Sequence, residues 1–247
     1  MALIKYGIGI ADARGSVGGV VLSKNSTSHY MRTRTIPVNP RSTVCKLNND
    51  HGFASQSKIR AAMAALTVRW STVLTNDERL SWELYATNVT VQNKLGEAIK
   101  LSGMNHYLRC NVIRYAHYSS AFDAGPTTFE IPEQDPTLIF QPEVHEQKCK
   151  ITFDDTMAWV DEDLAAMQIW MGRPQNAQRT FYGGPYLGIK DKAGKSVGPI
   201  TSPEWMTNIF QVTAGQKVWY KVRIRRADGR ISDPFYKSAI VVAGPIP

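Results

Sequence analysis

Residues 217–226 read KVWYKVRIRR, and apolar and polar side chains alternate along them with a period of two. The apolar set points to one side of an extended chain and comprises Val218, Tyr220, Val222 and Ile224. The opposite set contains four cationic or aromatic residues, namely Trp219, Lys221, Arg223 and Arg225. This alternation is typical of a β-strand that is buried on one side. The stretch therefore predicts a strand at the surface of a hydrophobic core, with Trp219 on its outward face.

A tight turn and a partner strand follow directly. Asp228-Gly229 is favoured in short hairpin connections, and ISDPFYKSAIVV (residues 231–242) has the composition of a returning strand. Three earlier stretches also have strand character: KCKITF (148–153), MQIWMG (167–172) and NIFQVT (208–213). About seven short strands in roughly 110 residues is the size of an immunoglobulin-like or fibronectin type III-like sandwich. We predict this fold for residues 137–247.

Prolines separate this region from a helical one. The stretch AGPTTFEIPEQDPTL contains Pro126, Pro132 and Pro136, so residues 123–136 are predicted to be a linker. Before the linker, SKIRAAMAALTVRWSTVL (residues 57–74) repeats an apolar residue near helical spacing. The predicted buried face of this helix is formed by Ile59, Met63, Leu66 and Trp70.

Two further helices complete the predicted helical region. Thr75 and Glu78 have the spacing of a capping box, which marks the start of a helix. The apolar face of that helix is predicted to contain Leu80 and Leu84, with Trp82 and Tyr85 beside them. A third helix is predicted in MNHYLRCNVIRYAHY (104–118), with the apolar residues Met104, Leu108, Val112, Ile113 and Tyr115. Residues 44–122 are therefore predicted to be a small helical domain of an α+β multidomain chain.

The first 43 residues have a different composition. Residues 1–60 hold nine Lys and Arg against two Asp, a net charge of +7, whereas the whole chain of 247 residues carries +8. The run VGGVVLS favours extended backbone. Pro37 and Pro40 keep the residues before them out of the helical region. Residues 1–43 are therefore predicted to be an extended basic arm.

An arm of this composition cannot bury itself, so it is either a disordered basic tail or is ordered by a partner. Its valines and prolines favour strand addition to a partner's sheet over phosphate binding. Tyr30, which lies close to two arginines, suits an interface anchor or a stacking contact. The predicted partner-binding residues are Arg14, Gly18, Gly19, Tyr30, Arg32, Arg34, Pro37, Asn39, Pro40 and Arg41. Trp219 is an additional interface candidate if its face of the strand meets another subunit.

The chain carries incomplete versions of two ligand-binding motifs. Gly194-Lys195-Ser196 ends like a phosphate-binding loop, but Ile189 occupies the position of that loop's first glycine. A hairpin turn is the favoured interpretation. The acidic residues between 154 and 163 lack the alternating oxygen ligands and central glycine of a calcium loop, which favours a solvated turn. These are Asp154, Asp155, Asp161, Glu162 and Asp163.

Cysteine and histidine spacing gives no complete metal site. His106 and Cys110 are four residues apart on a predicted helix, and His145 and Cys149 repeat the spacing near a strand. A structural zinc site needs four converging ligands, and no second pair is evident. With Cys45, the three cysteines are too widely spaced for a disulfide framework, so we interpret them as small buried residues. We expect no enzyme activity, no cofactor and no metal.

The sequence contains no apolar run of membrane-spanning length and no secretory signal pattern, so synthesis in the cytoplasm of the producing cell is expected, with no membrane partner.

Three motifs lie in the basic arm: Gly15 with Gly18-Gly19, Tyr30 with Arg32 and Arg34, and Pro37 with Asn39-Pro40 and Ser42-Thr43. Further along are Trp70, Leu74-Thr75, Trp82 and LSGMN at residues 101–105. In these motifs the chain resembles a group of poorly characterised proteins of tailed bacteriophages and prophages, over about residues 7–115.

The resemblance implies a structural protein of the virion, with capsid, portal or tail subunits and copies of itself as partners, and it implies no catalytic residues. A head-decorating or cement protein is favoured, because an anchored arm and an exposed sandwich suit a protein that braces a shell. A neck or tail protein is the alternative. Two other classes stay open: a nucleic-acid-binding module that uses the arm, with weak and non-specific binding expected, and a host-surface adhesin that uses the loops around FYGGPYLG (181–188).

Overall fold

The computed structural model describes residues 2–4, 13–17, 20–24, 29–33, 51–93 and 95–246. Within these ranges the chain contains helices and antiparallel sheets, which confirms the predicted α+β class. The helices are α1 (His51–Thr72), α2 (Asn76–Asn88) and α3 (Gly103–Tyr118). A short hairpin of β5 (Val91–Gln92) and β6 (Ala98–Ile99) connects α2 to α3.

Seven strands after residue 138 form two antiparallel sheets. Their bounds are β7 (Ile139–Pro142), β8 (Lys148–Thr152), β9 (Ala166–Gly172), β10 (Tyr186–Ala193), β11 (Glu204–Thr207), β12 (Lys217–Arg225) and β13 (Phe235–Ile240). One sheet has the strand order β11-β8-β7 and the other has the order β10-β9-β12-β13. The decisive stretch, β12, therefore lies inside the larger sheet, paired with β9 on one side and β13 on the other.

The two sheets enclose one hydrophobic core. The ring of Phe140 on β7 stacks on the ring of Tyr220 on β12, with centroids 4.1 Å apart and an angle of 12° between the planes. All four residues predicted to face inward from β12 are buried. Burial of one large aliphatic side chain contributes about 1.5–3 kcal/mol, so this strand alone supplies a large share of the core's stability. The hairpin turn at Asp228-Gly229 is confirmed.

One predicted strand is wrong. NIFQVT (208–213) lies outside the strands, and the strand of this region, β11, ends at Thr207. Val212 is still buried. Its backbone groups bond to the side-chain amide of Gln147, because Val212 N donates to Gln147 Oε1 (2.8 Å) and Gln147 Nε2 donates to Val212 O (3.1 Å). A side chain thus satisfies the polar groups that a neighbouring strand would otherwise pair.

The three helices share a second hydrophobic core. Leu66 of α1, Trp82 and Tyr85 of α2, and Tyr107 of α3 are all buried in it. The predicted capping box is present, because Thr75 N donates to Glu78 Oε2 (2.7 Å) and Glu78 N donates to Thr75 Oγ1 (3.3 Å).

The predicted apolar face of α2 is wrong in part. Leu80 and Leu84 are 63% and 56% exposed, and Met63 of α1 is exposed as well. The helix instead buries Trp82 and Tyr85, because the two large rings remove more apolar area from water than the two leucines would. The predicted apolar residues of α3 are only partly buried. The buried residues of this helix are instead Gly103, His106, Tyr107, Cys110 and Asn111.

The segment predicted to be a linker lies against the helices. The Asp123 carboxylate accepts hydrogen bonds from Arg69, and the backbone carbonyl of Asp123 accepts one from Trp82 Nε1 (2.8 Å). Ile231, which follows the β12 turn, joins the helical core. Arg109 of α3 forms an ion pair with Asp233 at 2.7 Å. The helices and the two larger sheets are therefore in direct contact, and the domain boundaries stay a prediction.

The prediction of a single extended arm is wrong in part, because its described residues form a small sheet. Four strands, β1 (Ala2–Ile4), β2 (Gly15–Val17), β3 (Val20–Lys24) and β4 (His29–Thr33), pair with each other in the order β1-β4-β3-β2. The backbone is extended as predicted, but it folds back on itself. Val17 pairs with Val20, and the two residues between them in the sequence are both glycine, a combination favoured in short hairpins.

We expect Leu66→Ala to lower the free energy of unfolding by about 2–5 kcal/mol, because Leu66 is fully buried among aromatic rings. Leu80→Ala is the matched control and should change it by less than about 0.5 kcal/mol. Urea unfolding followed by circular dichroism measures both. Equal losses in the two variants would contradict the helix orientation described above.

Candidate interaction surfaces

The N-terminal sheet carries the described part of the predicted partner-binding set. Tyr30 and Arg32 lie two residues apart on β4, so they project from the same face of the sheet. Tyr30 is half-buried and Arg32 is exposed, while Arg14 is exposed just before β2. The other members lie outside the described residues: Gly18, Gly19, Arg34, Pro37, Asn39, Pro40 and Arg41.

None of the described side chains of this sheet is buried. Wherever burial is defined for its strands, the side chains are half-buried or exposed, and Met31 is among the exposed ones. β1 and β2 are the outer strands, and each pairs with one neighbour among the described residues. An outer strand offers unpaired backbone groups, so the sheet can accept a strand from a partner.

Trp219 lies on the outward face of β12, as predicted, but its ring is covered by the same chain. Tyr182 stacks on it with ring centroids 5.5 Å apart and an angle of 22°, which leaves Trp219 only 7% exposed. The contact that the structure gives the Trp219 ring is therefore internal, and a contact of this residue with another subunit stays a prediction. Alternation could place it on the outward face, but it could not show that a loop returns to that face.

The loop of residues 173–185 is fixed by hydrogen bonds near its start and near its end. Gly172 leaves room for Tyr182, because a Cβ at this position would lie 2.5 Å from the Tyr182 ring. The Tyr182 hydroxyl accepts a hydrogen bond from Arg173 N (3.1 Å) and donates one to the carbonyl of Pro185 (2.8 Å). Gln175 forms a pair of backbone hydrogen bonds with Lys217 of β12, each 2.9 Å long.

The covered face continues into an array of rings, which we call the aromatic face. It consists of Phe181, Tyr182, Tyr186, Trp219 and Tyr236. Tyr186 packs edge-on against Tyr182 at 5.2 Å and lies 5.6 Å from Tyr236. Burial and the neighbouring phenols raise the pKa of Tyr186 to about 12. Tyr236 and Phe181 are the exposed members, at 53% and 74%.

Cations stand over several rings of this sheet. Lys217 Nζ lies 5.2 Å from the centroid of the Trp219 ring, and the Arg179 guanidinium lies 5.7 Å from that of Tyr182. Lys221 Nζ lies 4.9 Å from the centroid of the neighbouring Trp170. Such contacts fix the positions of the cations and are each worth about 0.5–1 kcal/mol at exposed sites.

The other end of the same sheet is polar and lies against α3. The strand register places Asp191 beside Gln168 and Gln168 beside Arg223, and Tyr118 of α3 donates to Asp191 at 3.4 Å. Burial raises the pKa of Asp191, and burial lowers the pKa of Arg223 to about 10. Arg223 Nε is a buried donor that has no hydrogen-bond partner among the described residues. This row connects the sandwich to the helices.

Of the residues considered for metal or nucleophile chemistry, His106, Cys110 and Cys149 are buried, whereas His145 is exposed. Burial raises the pKa of both Cys110 and Cys149 to about 12, which favours the unreactive thiol form. Burial lowers the pKa of His106 to about 4, and the ring packs edge-on against Tyr85. Among the described residues no three His, Cys, Asp or Glu side chains come together in a geometry that could hold a metal ion. Cys45 lies outside those residues.

Close packing and local hydrogen bonds account for Gly194-Lys195-Ser196 and for the acidic residues between 154 and 163. A Cβ on Gly194 would lie 2.0 Å from the carbonyl oxygen of Trp159, so only glycine fits. Ser196 donates hydrogen bonds to Asp163 from both N (3.0 Å) and Oγ (2.5 Å). Asp154 similarly accepts from Thr156, and this bonding lowers the pKa of Asp154. The predicted hairpin turn is wrong, because Gly194-Lys195-Ser196 lies in the connection between β10 and β11, which belong to different sheets and do not pair with each other.

Comparisons with known proteins add little to this description. No protein-family model and no curated protein matches the chain. A solved structure described as a family 76 glycoside hydrolase from a bovine Bacteroides thetaiotaomicron strain is similar over 46% of this chain and 21% of its own, with 12% identity and a TM-score of 0.31. This likeness is too weak to support any argument about fold or activity. In the described ranges, none of the helices has the length and hydropathy needed to cross a membrane.

We expect Gly172→Ala to displace Tyr182 and to lower the free energy of unfolding by about 1–3 kcal/mol, because the added methyl group overlaps the ring. Acrylamide quenching of tryptophan fluorescence should increase as Trp219 is uncovered. Gly183→Ala is the matched control, since a Cβ there would meet Phe181 at an ordinary 3.4 Å. Unchanged quenching and stability in the Gly172 variant would show that Tyr182 does not cover Trp219.

Proposed function

We propose that this chain is a structural protein of a tailed-bacteriophage particle, and specifically a head-decorating or cement protein held by its N-terminal sheet. The observation that carries the proposal is that the side chains of this sheet are less buried than those of the rest of the chain. The two hydrophobic cores contain residues between 66 and 241, whereas the described side chains of the sheet are at most half-buried. A sheet of this kind gains its stability by pairing with a larger surface.

The proposed partners are capsid, portal or tail subunits and other copies of the chain. Exposed outer strands suit addition of a partner strand, and the nearby cations Arg14 and Arg32 suit an acidic surface on that partner. The similarity of residues 7–115 to phage proteins supports the same class. The proposed location is the virion, after synthesis in the host cytoplasm.

We also propose that residues 137–247 are an immunoglobulin-like module of the fibronectin type III kind, which would be displayed on the particle. In chain order, strands one, two and five form one sheet and strands three, four, six and seven form the other. The two inner faces meet in one core, as in such sandwiches. The extended arm with its sheet, the helices and this sandwich would then be three parts of a multidomain chain.

Two alternatives follow from particular observations. A neck or tail location fits the same anchored sheet, because nothing in its strands distinguishes a head partner from a tail partner. A nucleic-acid-binding role is favoured only by the net charge of +7 in residues 1–60. Binding through those cations would weaken by roughly 0.9 log units per phosphate contact for each tenfold rise in salt.

We predict that deletion of residues 1–43 leaves a chain that folds but no longer joins particles, because both cores lie in the remaining part. Particles of the phage that encodes the chain are purified on a density gradient. Mass spectrometry then measures how much of the full-length chain and of the deleted chain co-purifies with them.

Arg32→Glu in the full-length chain should reduce this incorporation, while Lys100→Glu, an exposed charge change in the helical part, should not. Circular dichroism melts of all variants should agree with those of the full-length chain. Full incorporation of the deleted chain would contradict the proposal, and so would loss of its folding. Tight DNA binding that survives physiological salt would favour the nucleic-acid alternative.

A further inference from the structure

We propose that the loop of residues 173–181 and the neighbouring exposed rings form a binding site for an acidic polysaccharide. The inference goes beyond a structural role in a particle, and it rests on a different part of the chain from the N-terminal sheet. It follows from an exposed ring on an ordered loop, from the charge around that loop and from the amide side chains along it.

Phe181 is the first observation. Its ring is 74% exposed, although the loop that carries it is tied down on both sides. Arg179 Nε donates to the Phe181 carbonyl (2.8 Å), and Arg179 Nη1 donates to Gln175 Oε1 (2.5 Å). Gln175 is in turn paired with the backbone of Lys217. The exposed ring is therefore presented in a fixed position, and a ligand would not have to supply the free energy of ordering the loop.

The charge of this surface has one sign. No Asp or Glu occurs in residues 172–190, 217–226 or 234–246, which provide the loop and most of the outward side of the larger sheet. The same segments bring Arg179, Lys217 and Lys221 to that side, where each lies over an aromatic ring. The acid next along the chain, Asp191, belongs to the polar row beneath α3, where its pKa is raised by burial. An anionic ligand is the electrostatic complement of this face.

The loop also offers side-chain amides. Asn176 and Gln178 lie two residues apart and are exposed, whereas the Gln175 amide is engaged within the loop, because it donates to the Arg173 carbonyl (3.1 Å) and accepts from Arg179. An amide group provides both a donor and an acceptor, which matches a pair of adjacent hydroxyl groups on a sugar ring. The apolar C–H face of such a sugar can lie on the exposed Phe181 ring while its carboxylate or sulfate group meets the cations.

A polysaccharide fits this surface better than a single-stranded nucleic acid. A nucleic acid strand requires several successive rings with open faces, one for each stacked base. Here Trp219 and Tyr182 cover each other, and cations lie over both of them as well as over Trp170. Phe181 and Tyr236 are the exposed rings of the aromatic face, and two rings suffice for a sugar but not for a run of bases.

The test is isothermal titration of the full-length chain with four polymers: polygalacturonate, heparin, uncharged dextran and oligothymidylate. We expect binding to one or both acidic polysaccharides, with dextran and oligothymidylate weaker. Phe181→Ala should weaken the binding by about tenfold or more, because it removes the stacking surface. Phe181→Tyr should retain it. Phe129→Ala is the matched control, since Phe129 is a partly exposed ring that packs against Tyr85 in the helical part.

Three results would overturn the proposal: no binding to either acidic polysaccharide, an equal loss in the Phe181 and Phe129 variants, or tighter binding to oligothymidylate than to both polysaccharides. Thermal melts establish that each variant is folded. Because incorporation into particles is measured with variants of residues 1–43, failure of the polysaccharide test leaves the proposed structural role unaffected, and the reverse also holds.

Discussion

The stacking of Phe140 on Tyr220 across the two sheets is the contact on which the rest of the structure depends. β12 carries Tyr220 and lies between β9 and β13, so its inward side chains define the core of the sandwich. Its outward side chains define two different surfaces. The loop of residues 173–185 packs on Trp219 through Tyr182, while Arg223 and Arg225 lie near α3. One strand thus organises the core, the aromatic face and the contact with the helices.

The contact with the helices is largely ionic and polar. Arg109 pairs with Asp233, and Ile231 adds an apolar anchor in the helical core. Arg230 Nη1 also donates to the carbonyl of Glu130 (3.0 Å), in the segment after α3. Burial disfavours the charged form of Arg223, as its lowered pKa of about 10 indicates. Such contacts fix the orientation of two parts more than they stabilise them. The aromatic face would therefore keep a constant orientation relative to the helices.

The sequence predicted those features that depend on neighbouring residues. The alternation along β12, the Asp228-Gly229 turn and the capping box at Thr75 are local, and all are present. The errors have non-local causes. NIFQVT is held by a glutamine from another loop, and Leu80 and Leu84 are exposed because two aromatic rings compete for the same core. The strands near the N-terminus were predicted as extended, but their pairing with each other was not.

The candidate sites also combine features that the local sequence shows with features that depend on residues far apart in the chain. The basic composition of the N-terminal part was visible in the sequence, whereas the cover that Tyr182 provides for Trp219 was not, since 37 residues separate them. Gly172 gives no signal of its own, because its role appears only when the Tyr182 ring lies above it. Phe181 begins the FYGGPYLG stretch, which the sequence singles out for the adhesin alternative. Its exposure depends on the loop geometry, which composition does not determine.

The central claim is that the sandwich and the helices form the stable body of the isolated chain, while the N-terminal sheet depends on a partner. Hydrogen–deuterium exchange of the full-length chain tests it most directly. The amides of β9 and β12 should be the slowest to exchange, through global unfolding, and those of β3 and β4 should exchange at least about 100-fold faster, through local opening. Equal protection of β4 and β12 in the isolated chain would contradict the account.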